Sequence, residues 1–333
     1  MREHGGDLVR AAQEYGIPVE RWLDLSTGIN PHGYPVPQVP ARAWLRLPSD
    51  DAPLRRAAAE YYGTDSLLPV AGTQAAIQAL PRLRRHSRVL LAALTYNEYA
   101  HAWRRHDHDV QMVEPGDFGT RLSQTDVLIV CNPNNPTGAR IAPQRLLEWH
   151  AALSSRGGWL IIDEAYIDVT PEASLAAVAH RPGLIVLRSL GKFFGLAGTR
   201  VGFALAERTI CDALQSELGP WTVSGPSLFA ACDALRDTSW QAETRLRLIA
   251  SGRRLRGLLT RAGATDMVGT PLFLWWQDSR ALALHHALAR QAILTRVFRD
   301  SHPAGIRFGL PGVDEEWEKL DHALECWKDM SCV

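Results

Sequence analysis

The sequence has few cysteines, no net charge and no long apolar run, and each lack removes a class of protein. Cys131, Cys211, Cys232, Cys326 and Cys332 are odd in number, widely scattered and never in a C-x-x-C pair. A disulfide framework or structural zinc site needs closer, paired spacing, so neither is expected. The 36 Lys and Arg are balanced by 36 Asp and Glu, which removes the basic surface that a nucleic-acid binder needs. No stretch offers the ~18 uninterrupted apolar residues of a membrane span. The opening Met1-Arg2-Glu3-His4-Gly5-Gly6-Asp7 lacks the apolar centre of a secretory leader. The expectation is a cytoplasmic protein with neither nucleic acid nor membrane as partner.

What is present is material for a large core. The chain has 333 residues, 46% of them hydrophobic, enough for two domains of roughly 150 residues each. Arg88–Ala92, Val127–Cys131, Trp159–Asp163 and Leu184–Leu187 are short, nearly continuous apolar stretches that end in polar or Gly/Pro-rich loops. They read as buried strands of a mostly parallel sheet. Segments of helical spacing lie between them, as in Gln144–Arg156, which is the alternation of an α/β layered domain. From about Ser224 the chain turns helical and rich in Ala, Leu and Arg, with a long helix over Ser239–Ala262. Two strands follow, around Phe273–Trp276 and Ile306–Gly309. Pro18, Pro31, Pro35, Pro37 and Pro40 crowd the start of the chain and exclude a continuous helix there. The expected organisation is an arm over 1–45, a large domain over 46–225 and a smaller α+β domain over 226–333.

Ser189-Leu190-Gly191-Lys192-Phe193-Phe194-Gly195 is the most informative stretch. A lysine that follows a buried strand and is enclosed by glycines and aromatics is a Schiff-base candidate, because desolvation favours a neutral, nucleophilic amine. It is not a Walker A lysine: Phe193 follows it, and no glycine stands five positions before Gly191. Asp163 closes an apolar strand in Asp163-Glu164-Ala165-Tyr166. A buried carboxylate there needs a cationic partner, such as a protonated pyridine nitrogen. Asn132-Pro133-Asn134-Asn135-Pro136-Thr137-Gly138 makes a constrained loop with amide donors. Gly72-Thr73-Gln74 opens a helix with the free N–H groups that suit an anion. His101, His106, Asp107, His108 and Asp109 fall close together, but such runs are usually solvated, and no metal is expected.

In this order and spacing, the four elements resemble the fold-type I pyridoxal-phosphate enzymes of the class I/II aminotransferase family, in the branch that contains histidinol-phosphate aminotransferase. The resemblance spans nearly the whole chain. It implies a mostly parallel seven-stranded sheet in the large domain, a smaller α+β domain, and a homodimer. It also implies that Lys192 forms the Schiff base with pyridoxal 5'-phosphate, that Asp163 holds the pyridinium, and that Asn135 and Tyr166 hydrogen-bond the phenolic oxygen. Tyr96 matches the aromatic that stacks on the ring, and Gly72, Thr73, Gln74, Ser189 and Arg200 match the phosphate cradle. Trp221 lies where family members line the substrate pocket. Leu47-Pro48 departs from the usual Tyr-Pro, whose tyrosine reaches the cofactor phosphate of the neighbouring subunit.

Substrate-holding residues decide which reaction the cofactor performs. The arginine equivalent to Arg307 clamps the α-carboxylate in aminotransferases and taken alone favours transamination. The arm points elsewhere: His4-Gly5-Gly6-Asp7, Tyr15-Gly16-Ile17-Pro18 and Trp22 to Pro31 resemble the threonine-phosphate decarboxylases of cobalamin biosynthesis. That resemblance implies a substrate set of His4, Gly5, Asn30, Asn135, Arg296 and Arg307 around O-phospho-L-threonine. The implied activity is that of a carbon–carbon lyase. The alternatives are a histidinol-phosphate aminotransferase and a non-catalytic pyridoxal-phosphate-binding regulator; no helix-turn-helix extension supports the last.

Overall fold

A computed structural model describes residues 4–48, 51–299, 301 and 304–331. The strands in chain order are β1 (Leu23–Asp24), β2 (Leu67–Val70), β3 (Arg88–Ala92), β4 (Asp109–Val113), β5 (Val127–Cys131), β6 (Trp159–Asp163), β7 (Leu184–Ser189), β8 (Gly202–Ala206), β9 (Val268–Thr270), β10 (Phe273–Gln277), β11 (Ile293–Leu294), β12 (Arg296–Phe298) and β13 (Gly305–Gly309). Two compact units divide the chain. One comprises Gly33–Asn135 and Ala139–Ala242, the other Met1–His32, Pro136–Gly138 and Glu243–Val333.

The first unit is built on a seven-stranded sheet of order β2-β8-β7-β6-β5-β3-β4. From β4 through β7 the neighbours are parallel, because helices such as Glu98–Arg105 and Pro143–Ser154 carry the chain back between strands. β8 runs antiparallel to β7, and β2 antiparallel to β8. The chain returns from β7 to β8 through residues 190–201, whose only regular element is a single 3-10 turn at Ala197–Thr199, so no helical crossover reverses it. That loop carries Lys192 and Arg200.

Val89, Leu91, Ile129, Ile185 and Leu187 point to one face and pack with Ile77, Tyr99, Trp103 and Leu214 from helices. The intervening Leu90, Leu128, Leu160, Val186 and Leu205 are buried as well. Both faces are therefore covered, which explains why these strands read as continuous apolar runs instead of alternating ones.

In the second unit, β12-β13-β10-β9 form an antiparallel sheet, and β1 pairs in parallel with β11. The helix Leu8–Tyr15 begins at Asp7, whose carboxylate accepts from Arg10 N at 3.1 Å, and stops at Gly16 in the left-handed conformation. Ala11 and Trp22 pack with Ala289 and Ala292. The boundaries expected at 45/46 and 225/226 thus differ from the division at 32/33 and 242/243. The β1–β11 pairing attaches the start of the chain to its C-terminal third, and the helix Thr238–Arg261 runs through the second boundary.

Candidate active site

The strands β5, β6 and β7 end at Cys131, Asp163 and Ser189, with Cys131 in register with Asp163, and Asp163 with Leu187 two residues before Ser189. Ligands of open α/β sheets bind at this end. Asp163 is buried and accepts from the Tyr99 hydroxyl at 2.8 Å and the Ala165 amide at 3.0 Å. Burial pushes its carboxyl above the usual carboxylate range, while the Tyr99 and Ala165 hydrogen bonds and the Lys192 ammonium pull the other way. The Cys131 thiol is pushed up to about 12, first by burial and then by the Asp163 charge, so it is an inert neighbour.

Lys192 Nζ lies 5.5 Å from the centre of the Tyr166 ring. The two residues after it anchor its loop. Phe194 stacks on Trp240 with centroids 5.7 Å apart, Phe193 meets the same indole edge-on, and Phe194 O accepts from Tyr34 N at 2.8 Å. The fully buried rings of Phe193 and Phe194 leave the lysine little backbone freedom. Beside it, the buried Arg188 on β7 donates to Glu164 at 3.1 Å and also to Asp168. The strand bearing Ser189 is thereby tied to the segment bearing Asp163 and Tyr166.

The cradle is a close approach of Arg200 to a glycine. Gly72 has φ +71°, and a Cβ there would lie 2.5 Å from Arg200 Nη2. Gly202 is equally constrained, since a Cβ on it would lie 2.7 Å from Thr73 N. The guanidinium therefore sits over the start of the helix Thr73–Ala79, whose first N–H groups have no preceding carbonyl to bond. Arg200 itself adopts φ +53°, a strained conformation of the kind that functional sites retain. Ser189 Oγ accepts from Gly191 N at 3.1 Å. Gln74 donates to the buried Glu98 at 2.8 Å and accepts from the Tyr96 hydroxyl at 3.3 Å, which fixes its amide.

The Asn/Pro loop is held by its own amides. Asn132 donates to Ile141 O and accepts from Ile141 N, while Asn134 donates to Leu94 O and accepts from Thr95 Oγ1. Asn135, half-buried, follows these two anchors.

The second unit gathers the substrate candidates. Arg296 on β12 stands directly opposite Arg307 on β13. Partners in an antiparallel pair project to the same face, and like charges so placed repel. Arg307 is buried, lies 5.2 Å over the Phe273 ring and donates through Nη2 to Ser26 O. Arg296 lies 5.1 Å over Phe298. Gly5 packs so closely on Ser26 O that a methyl group would overlap it. The buried Asn30 accepts from His32 N at 3.0 Å. His4 is exposed.

The sequence candidates thus form two sets, one in each unit: the ring, aldehyde and phosphate residues in the first, and all the substrate residues except Asn135 in the second. The donor set of the first fits pyridoxal phosphate, with a buried carboxylate for a ring nitrogen, a lysine amine, and a guanidinium over a helix start for a phosphate. Trp221 is 56% exposed, with φ +60°. Both ring nitrogens of His108 are taken by backbone, Ser87 N at 3.1 Å and Pro81 O at 3.0 Å. Sequence reasoning missed Tyr99, Glu98 and Ser26. Tyr99 stands in the first turn of the helix Glu98–Arg105, with its ring centroid 6.2 Å from that of Tyr96.

The fold is that of the fold-type I pyridoxal-phosphate enzymes, and the chain belongs to the aminotransferase class I and II family, which matches residues 45–325. It is 52% identical, over 99% of each chain, to the threonine-phosphate decarboxylase of Pseudomonas aeruginosa. It is 44% identical, over 92% of each, to a threonine-phosphate decarboxylase of a Sinorhizobium species. The crystal structure of the histidinol-phosphate aminotransferase from Clostridium acetobutylicum matches with a TM-score of 0.82, covering 92% of this chain and 99% of that one. At 21% identity this is a likeness of fold.

Proposed function

We propose that the protein decarboxylates O-phospho-L-threonine to (R)-1-amino-2-propanol O-2-phosphate, supplying the aminopropanol arm of cobalamin. The observation that carries this reading is the Arg296–Arg307 pair, two guanidiniums in register on one sheet face. A dianionic phosphate ester answers two such cations through charge-assisted hydrogen bonds. The likeness to the Pseudomonas and Sinorhizobium decarboxylases supports it.

Bound pyridoxal phosphate would supply an electron sink for the bond broken at the substrate Cα. Lys192 would bind the cofactor aldehyde, Asp163 would pair with the ring nitrogen, Tyr96 would pack on the ring, and Asn135 and Tyr166 would hold the phenolic oxygen. Thr73, Gln74, Ser189 and Arg200 would hold the cofactor phosphate around Gly72. His4, Gly5, Asn30, Asn135, Arg296 and Arg307 hold the substrate by its phosphate end. Anchoring there leaves the α-carboxylate unclamped, so it is the group that departs. Lys192 Nζ, freed when the substrate amine takes its place, would hold the proton that Cα takes up once carbon dioxide has left.

The protein acts as a homodimer in the cytoplasm. The exposed Trp44, Leu45 and Leu47 support a subunit contact, and no helix among the described residues is long and apolar enough to cross a membrane.

Mass spectrometry of the protein with cofactor and O-phospho-L-threonine alone, without a keto acid, tests the reading. Accumulation of the phosphorylated amino alcohol over many turnovers is expected. A 2-oxo acid formed once per site would assign an aminotransferase instead.

A further inference from the structure

Ser26 connects two things that the proposed function uses separately. It is 1% exposed, and each of its polar groups is engaged. Its hydroxyl accepts from Gly6 N at 2.7 Å and donates to Asp24 Oδ1 at 2.5 Å, and its amide donates to the same carboxylate oxygen at 2.8 Å. Its carbonyl oxygen accepts from Arg307 Nη2. Gly5 packs on that carbonyl with no room for a side chain.

The segment around Ser26 is itself fixed. Leu23 N and Leu25 N donate to Ala292 O and Leu294 O, and Gly309 N donates to Leu25 O at 2.7 Å. Ser26 is therefore presented from a rigid edge, whereas Gly6 and Asp7 are exposed, and Gly6 has φ +87°. The hydrogen bond from Gly6 N to the Ser26 hydroxyl, with Gly5 packed on the Ser26 carbonyl, fixes where this exposed backbone lies.

We propose that Ser26 is a positioning residue that latches the arm beside Arg307, so that His4, two residues before the latched amide, is delivered to the substrate phosphate. The inference rests on the decarboxylase reading for its substrate. The latch itself is a property of the arm and is read without turnover. Asp24 orients the Ser26 hydroxyl by accepting its hydrogen bond, which leaves the oxygen lone pairs turned to Gly6 N. The guanidinium and the arm thereby share one residue, and loss of its hydroxyl unseats the arm while the Ser26 carbonyl still holds Arg307.

Hydrogen exchange of the N-terminal peptide and steady-state kinetics of the holoenzyme test this together. In Ser26→Ala, exchange at Gly6 rises about tenfold, and KM for O-phospho-L-threonine rises about tenfold with kcat within about twofold, as expected for loss of one hydrogen bond near 1.4 kcal/mol. Ser26→Thr keeps the hydroxyl and restores both. Asp24→Ala removes the carboxylate that orients the Ser26 hydroxyl while leaving the Gly6 amide in place, and reproduces the Ser26→Ala pattern even if that variant folds poorly. Unchanged exchange in either Ser26→Ala or Asp24→Ala would overturn the latch, as would faster exchange with an unaltered KM. A wild-type protein inert toward O-phospho-L-threonine would instead overturn the decarboxylase reading, and the exchange comparison would still decide the latch.

Discussion

Arg296 and Arg307 face one another across the antiparallel β12–β13 pair, each over an aromatic ring. Two cations in register on one sheet face suit an anion that bridges them. Arg296→Gln should therefore abolish the stabilisation that phosphate confers on the parent. Arg307→Ala should weaken O-phospho-L-threonine binding by about 1.5–3 kcal/mol, the range for a charged hydrogen bond. Calorimetric titration of both variants checks this; undiminished phosphate stabilisation would contradict the assignment.

Gly72 has a backbone conformation and a neighbour that forbid a side chain. Gly72→Ala should cost about 1–3 kcal/mol of stability from the strained backbone and lower cofactor affinity by displacing Arg200. Equilibrium dialysis of pyridoxal phosphate, with thermal melts of the cofactor-free protein, separates the two effects.

Burial raises the Asp163 carboxyl, and the sign of the consequence follows. A group whose folded-state pKa exceeds its unfolded value stabilises the fold below the unfolded value and loses that contribution as pH rises through the folded one. Cofactor-free Asp163→Asn should accordingly melt higher than the parent at neutral pH, with the difference closing toward pH 3.8, the ordinary value. The same variant should gain less stability from the cofactor, because no carboxylate faces the ring nitrogen. Tyr99→Phe removes the 2.8 Å donor to Asp163 and should raise this carboxyl further. Melts with and without pyridoxal phosphate across pH test both variants.

Asp126 behaves in the opposite sense. Hydrogen bonds from Arg88 pull its carboxyl down to about 2. Its contribution is present above the ordinary 3.8 and is lost as pH falls through about 2. Asp126→Asn should lower the melting temperature at neutral pH by a small amount, since the pair is largely solvent-screened. The difference should shrink as the pH is lowered from about 4 toward about 2.

The chemistry at the strand ends was legible because local pattern carries it: an apolar run ending in Asp163, a glycine-flanked Lys192, a helix opening at Gly72. Strands β3, β5, β6 and β7 announced themselves by runs of buried residues, whereas β4, with exposed residues along its length, carried no such run. The contacts that orient the site were not legible. Tyr99 meets Asp163 across 64 positions, and Arg307 meets Ser26 across 281. No periodicity or motif encodes such pairs, because topology alone brings them together. The facing of Arg296 and Arg307 likewise depends on register, which a shift of one residue would reverse.

Decarboxylation breaks the bond from Cα to the carboxylate and spares the bond from Cα to hydrogen. Turnover of O-phospho-L-threonine in heavy water, without a keto acid, tells the two bonds apart. The expected product is an amino alcohol phosphate that keeps the substrate's α-hydrogen, carries one solvent deuterium at the same carbon, and forms in step with carbon dioxide. Washout of the α-hydrogen into solvent without carbon dioxide release would contradict it.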